Sequence, residues 1–338
     1  MKAKIEDMYP LSPMQQGLLF HSLLAPGSGI YVPQICLALS GPIESTVLKT
    51  AWERALMRHT ILRTGFQWEQ RDEPFQVVYR ESELFWVEQD WSNTQADEQA
   101  IKLQNFLAAN RSMPFNLHRP PLMRITLIRR TESSHYLILC YHHLIMDGWS
   151  AGLLLQETLL DYVRTIQDPD TTRRLPGVQS RYADFIRWLK DQDPVQSKSF
   201  WETRLEGIQT HSVITPNASA HVSRIPEMKE TTFSLTEDES SHVRQFTKNH
   251  GLTLNNLLLG SLGIVFSRYT DNPEVTLGTT VSGRPPTLPD AMSMIGLFIN
   301  TIPVRIAVSQ NQSVLSWLKN IQQDQSSTAP FQHVSLRD

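Results

Sequence analysis

Residues 141–150 read YHHLIMDGWS, two adjacent histidines followed four residues later by Asp147 and Gly148. An imidazole titrates near neutral pH, so either ring is suited to exchange a proton with a reacting amine or hydroxyl. On an extended run, neighbours point to opposite faces. Only one of His142 and His143 therefore faces any given cavity, and the pair cannot easily share one metal ion. Asp147 stands beside a helix start, where a carboxylate caps the first turn or pairs with a cation to pin the loop. Gly148 permits a tight turn. Residue types alone leave two readings open: two hydrogen-bonded structural histidines, or one structural and one catalytic.

The flanking elements decide where these groups stand. HYLILCY (135–141) is nearly all apolar and rich in strand formers, as expected of a strand covered on both faces. AGLLLQETLLDYVRTI (151–166) places leucines at 153, 154, 155, 159 and 160, the pattern of a buried helix. The motif thus occupies a strand–loop–helix junction.

Upstream, residues 13–24 suit a helix capped by Ser12 and opened by Pro13, and 34–39 a strand. Leu48, Ala51, Trp52, Ala55 and Leu56 mark one buried helical face in 44–58. Strand-like ILRTGFQW, PFQVVYR and ELFWVEQ follow, then a helix at 97–110 and a strand at 121–130. Downstream, the polar, proline-broken QDPDTTRRLPG (167–177) predicts a linker. Helices are expected at 180–192 and 197–207, and a strand near 229–235. A helix then runs from the capping box Thr236–Glu239 to Gly251, with another at 252–270. Strands EVTLGTTVS and LFINTIPVRI flank the loop GRPPTLPDAMSMIG, and SVLSWLKNIQQDQ closes with a helix. The alternation predicts a mixed α/β architecture.

With 338 residues, the chain exceeds one ordinary core, so two domains are expected, 1–172 and 173–338. A net charge of −3 with 19% charged residues gives no reason to expect nucleic acid or an anionic membrane as partner. Cys36 and Cys140 both lie in apolar strand-like runs, which predicts buried free thiols and a reducing compartment. MKAKIEDMYPLSP lacks the apolar core of a secretory signal, and no apolar run reaches the length of a membrane span. The expectation is a soluble cytoplasmic protein.

HHLIMDG resembles the HHxxxDG motif of nonribosomal peptide synthetase condensation domains, relatives of chloramphenicol acetyltransferase. LSPMQQGLLF (11–20), RHTILRTGF (58–66), YADFIRWL (182–189) and IGLFINTIPVR (295–305) resemble four further blocks of that family. Together, in the expected order, the five cover nearly the whole chain. The resemblance implies two chloramphenicol acetyltransferase-like lobes in a V-shaped arrangement with a tunnel between them. It implies that His143 faces the tunnel, that His142 is structural, and that Asp147 is salt-bridged to Arg63. The Gly148 N–H would support an oxyanion. Ser12, Gln15, Trp149, Ser150, Ser282 of the SGRPP loop (282–286) and Asn300 would line the tunnel, the last two from the second lobe. No metal and no resident cofactor are implied.

The implied substrates are thioesters on the 4′-phosphopantetheine arms of donor and acceptor carrier proteins, with an adenylation domain as neighbour. The implied reaction is amide formation between them. Complete condensation domains continue beyond a segment like SSTAPFQHVSLRD, so the second lobe is expected to be incomplete. Heterocyclisation domains carry two aspartates in this motif, and plant alcohol acyltransferases add a DFGWG block; neither fits. Epimerisation domains share HHxxxDG and remain an alternative, as does an inactive carrier-binding module. Met146 resembles the residue of domains that accept a D-configured donor.

Overall fold

The computed structural model describes residues 5–168, 180–208, 231–309 and 311–334. Strand β1 (Ile5–Pro10) leads into α1 (Pro13–Leu24). The Ser12 hydroxyl accepts from the Gln15 N–H and the Gln15 side chain returns to the Ser12 N–H, a reciprocal cap ahead of Pro13. Then come β2 (Gln34–Ser40), α2 (Ser45–Arg58), β3 (Thr64–Gln67), β4 (Phe75–Tyr79), β5 (Trp86–Asp90) and α3 (Ala96–Ser112). A short 3₁₀ turn at Thr60–Arg63 replaces the first half of the strand expected from ILRTGFQW. Strands β6 (Met123–Thr131) and β7 (Ser134–Tyr141) then deliver the chain to α4 (Gly148–Gln167).

Two sheets result, ordered β1-β4-β3 and β2-β7-β6-β5. All their pairings are antiparallel except β5 with β6. Strand β7 is central, and residues 137–141 are buried on both faces, as the apolar run predicts. Its neighbour β2 alternates between half-buried and exposed positions, so one face is open. Cys36 sits on that face and is exposed, against expectation, whereas Cys140 is buried; both are free thiols. Helix α4 packs along α2, and half-buried Glu157 ties the two through Arg58 and His59.

The chain divides into two compact units, Met1–Gln192 with Ser282–Ile299, and Asp193–Val281 with Asn300–Asp338. This differs from the expected cut at 172/173 for a physical reason. Helix α5 (Tyr182–Lys190) sinks Tyr182, Phe185 and Ile186 into the first unit's core, and the 282–299 segment adds Leu288, Met294, Leu297 and Phe298 to it. The linker expected at 167–177 lies mostly outside the described residues.

The second unit holds α6 (Pro194–Leu205), α7 (Glu237–His250), α8 (Leu254–Thr270), β8 (Glu274–Val281), β9 (Asn300–Ala307) and α9 (Val314–Ser327). Strands β8 and β9 pair antiparallel from Glu274↔Ala307 to Val281↔Asn300. Leu259, Val304, Ile306, Trp317 and Leu318 form the core beside them. Of the strand expected near 229–235, residues 231–235 are irregular and the start lies outside the described residues. No helix among the described residues is long and apolar enough to cross a membrane.

Candidate active site

Beyond Tyr141 two successive amides bond in different directions. The His142 N–H donates to the Leu122 carbonyl and the His143 N–H to the Tyr31 carbonyl, both at 2.9 Å. Their side chains consequently meet different surroundings, as the strand period requires. His142 is buried. Its Nδ1 accepts the Leu144 N–H at 3.1 Å, so the proton of the neutral ring lies on Nε2, 3.4 Å from the Ser22 hydroxyl. Burial, aided by His143, pulls its pKa down to about 4. This ring is uncharged at neutral pH.

His143 is half-buried, its ring edge-on to Tyr141. Its Nδ1 lies 3.2 Å from the Met146 carbonyl, which can only accept. Nδ1 therefore carries the proton and Nε2 presents the lone pair. Burial lowers the pKa, partly countered by the Met146 hydrogen bond and the charge of Asp147. At neutral pH His143 is an unprotonated base.

Asp147 is fully buried and caps α4 by accepting the Ser150 N–H at 2.8 Å. Its other oxygen accepts the N–H groups of Phe298 (3.0 Å) and Ile299 (3.3 Å). The cation beside it is Arg284, at 3.5 Å, and the expected pairing with Arg63 does not occur. Arg63 is consumed elsewhere: it pairs with Glu6 at 2.8 Å and donates to the carbonyls of Leu56, Met57 and Tyr79. Arg284, missed in the sequence, also donates to the Ser150 hydroxyl at 2.7 Å and to the carbonyls of Ala291 and Met294, and lies 4.1 Å over the Phe298 ring. Gly283 makes this possible. Its φ is +60° and a Cβ there would fall 1.7 Å from the Phe298 carbonyl oxygen. The sequence signal was the SGRPP loop together with a buried carboxylate in need of a cation.

Gly148 opens α4, where a first-turn N–H has no intrahelical acceptor. The turn does not need its conformational freedom: its φ is not positive, and an added Cβ would meet nothing within 4 Å. The absent side chain instead leaves room beside the helix start. Trp149 is half exposed, its Nε1–H bonded to the Met292 carbonyl at 3.0 Å.

Ser150, Ser12 and Gln15 are buried supports. The Ser150 hydroxyl donates to the Gly296 carbonyl at 2.6 Å; Gln15 donates to the Leu144 carbonyl at 2.9 Å. The Ser12 hydroxyl meets that of Tyr182 at 3.3 Å. Ser282 is exposed. Asn300 belongs to the second unit, where its amide donates to the carbonyls of Gln332 and Val334 at 2.7 Å each. Among the described residues no group of three or more His, Cys, Asp or Glu side chains is placed to hold a metal ion.

The family model described as Condensation domain matches residues 5–338. The chain is a condensation domain. Its similarity runs to nonribosomal peptide synthetases. It is 36% identical over 335 residues to a linear gramicidin synthase of Brevibacillus parabrevis, spanning 99% of this chain and 6% of that protein. It is 32% identical over 337 residues to surfactin synthase subunit 3 of Bacillus subtilis (strain 168), spanning 100% of this chain and 26% of that protein. The condensation domain thus covers only a minor part of these relatives.

Among solved structures, it matches the first condensation domain of the calcium-dependent antibiotic synthetase in complex with substrate analogue 2a. The TM-score is 0.80 at 17% identity, over 98% of this chain and 77% of that one. A four-domain nonribosomal peptide synthetase bound to AMP and glycine matches with TM-score 0.80 at 19% identity, over 99% of this chain and 25% of that one. At these identities the likeness is one of fold. The condensation domain fold agrees with the mixed α/β, acetyltransferase-like architecture expected from the motifs.

Proposed function

We propose that this condensation domain joins a donor acyl or peptidyl thioester to an acceptor aminoacyl thioester, each tethered through 4′-phosphopantetheine to a carrier protein. The carriers and a neighbouring adenylation domain are its partners. The acceptor nitrogen attacks the donor carbonyl carbon, the C–S bond breaks, and the thiolate leaves with the proton the amine gives up. The peptide passes to the acceptor arm.

One observation carries this reading: the Met146 carbonyl fixes the proton of His143 on Nδ1, so Nε2 is free to accept a hydrogen bond or proton from the amine. The open N–H at Gly148, at the positive end of α4, is suited to the oxyanion of the tetrahedral intermediate. Magnitudes rank the contributions. General base catalysis supplies about 10²–10⁴-fold, whereas aligning two reactants supplies effective molarities of roughly 10⁵–10⁸ M. An amine facing an activated thioester needs little base assistance, so positioning dominates and His143 mainly orients.

The test supplies both loaded carriers and follows product on the acceptor arm by mass spectrometry, for wild type and His143→Ala. Equal product formation would remove His143 from the mechanism. Racemisation of a single aminoacyl thioester would indicate epimerisation, and carrier binding with no turnover an inactive module.

A further inference from the structure

Strand β7 carries its register past its last residue. The N–H groups of Tyr141 and His143 donate to the carbonyls of Pro33 and Tyr31, while that of His142 between them turns to Leu122. These bonds continue the antiparallel register that sets Gln34 opposite Cys140. The backbone is therefore still extended at 143, and residues two apart share a face. Tyr141 and His143 stand side by side on it, their rings edge-on with centroids 5.9 Å apart.

Tyr141 is 2% exposed, and a phenol so buried ordinarily bonds its hydroxyl to a neighbour. No such bond is made to this one among the described residues. Nor is its oxygen sealed in, as the unpartnered Trp52 Nε1 is, so it touches open space. Burial, aided by the charge of Asp147, pushes the pKa up to about 12, and the phenol stays a donor at any working pH. The same face carries the free lone pair of His143 Nε2. One donor and one acceptor thus stand together, both unused by the protein.

We infer that the Tyr141 hydroxyl is a further catalytic group, donating a hydrogen bond to the carbonyl oxygen of the thioester attacked beside His143. The inference rests on the condensation reading and adds a residue to it. The complementarity is chemical. The amine brings an N–H for Nε2, and the carbonyl oxygen, which can only accept, needs a donor. As nitrogen bonds to carbon, negative charge collects on that oxygen and the hydrogen bond strengthens, so it acts on the transition state more than on bound substrate. The phenol keeps its proton throughout. The Gly148 N–H is the second donor to the same oxyanion.

Two variants of the full chain test this with both loaded carriers. Tyr141→Phe removes only the oxygen and keeps the ring against His143; Tyr141→Leu removes both. Tyr141→Phe is expected to lose about 10²-fold in kcat with KM little changed. Its stability in urea should equal or exceed that of wild type, because the hydroxyl it loses has no internal partner. The acid limb set by His143 should stay at the same pH. Wild-type kcat in Tyr141→Phe, with loss only in Tyr141→Leu, would overturn the proposal and leave the ring as packing for His143. A fall in stability alongside the lost rate would reveal an internal partner and overturn it too. Wild type that forms no amide would sink the condensation reading and this inference with it, whereas an active wild type and an equally active Tyr141→Phe would sink this inference alone.

Discussion

The carboxylate of Asp147 and the guanidinium of Arg284 meet at 3.5 Å across 137 residues of sequence, both side chains wholly shielded from solvent. Removing one partner of such a pair strands the other charge, at a cost of about 3–5 kcal/mol. Arg284→Ala and Asp147→Ala should each lower stability by that order in urea unfolding. Their double mutant should lose much less than the sum. The cycle of Asp147→Ala with Arg63→Ala should be additive, because Arg63 pairs with Glu6. Strong coupling to Arg63 would contradict the structure.

His142 makes stability depend on acid. Its folded pKa of about 4 lies below the ordinary histidine value near 6.5, so between these the unfolded chain binds the extra proton. Its contribution is present in full above about pH 6.5 and is lost as pH falls toward 4, on the order of 3 kcal/mol in total. The pH profile of urea midpoints for wild type and His142→Asn should diverge in that window. Parallel profiles would count against a buried neutral ring.

For His143 the sign favours activity at neutral pH. Burial lowers its pKa, so the unprotonated form persists below the usual histidine range. The acid limb of kcat/KM should fall below pH 6.5. His143→Ala should flatten this limb, and an unchanged limb would assign it to another group.

Gly148 separates two roles by two substitutions. Ala fits the space and should leave stability within about 1 kcal/mol of wild type. Pro, tolerated in a first helical turn after an extended Asp147, deletes the N–H alone from the backbone. If that N–H stabilises the oxyanion, Gly148→Pro should fold and lose about 10²–10³-fold in kcat. Full activity of the proline variant would exclude the role.

Local signals were legible wherever local chemistry decides. Ser12, Pro13 and Gln15 specify the start of α1, and the apolar run ending at Tyr141 specifies a strand covered on both sides. That the rings of His142 and His143 meet different surroundings follows from strand geometry. What escaped depends on long-range closure. Arg63 and Arg284 both lie in motif-like segments, and nothing in either local pattern says which is carried to Asp147. Cys36 occupies an apolar run whose outer face is left uncovered, a fact set by sheet order. The proline-broken stretch at 167–177 has the composition of a boundary, yet the helix after it returns to the core it left.

The loop at 282–299 makes the first unit discontinuous along the chain. A fragment ending at Gln192 would expose an apolar seat built for Phe298 and strand the carboxylate at the head of α4 without the amides and cation that solvate it. Ribosomal synthesis must therefore pass residue 299 before the loop ahead of α4 can settle, and supplying 282–299 as a separate peptide to that fragment should restore its order.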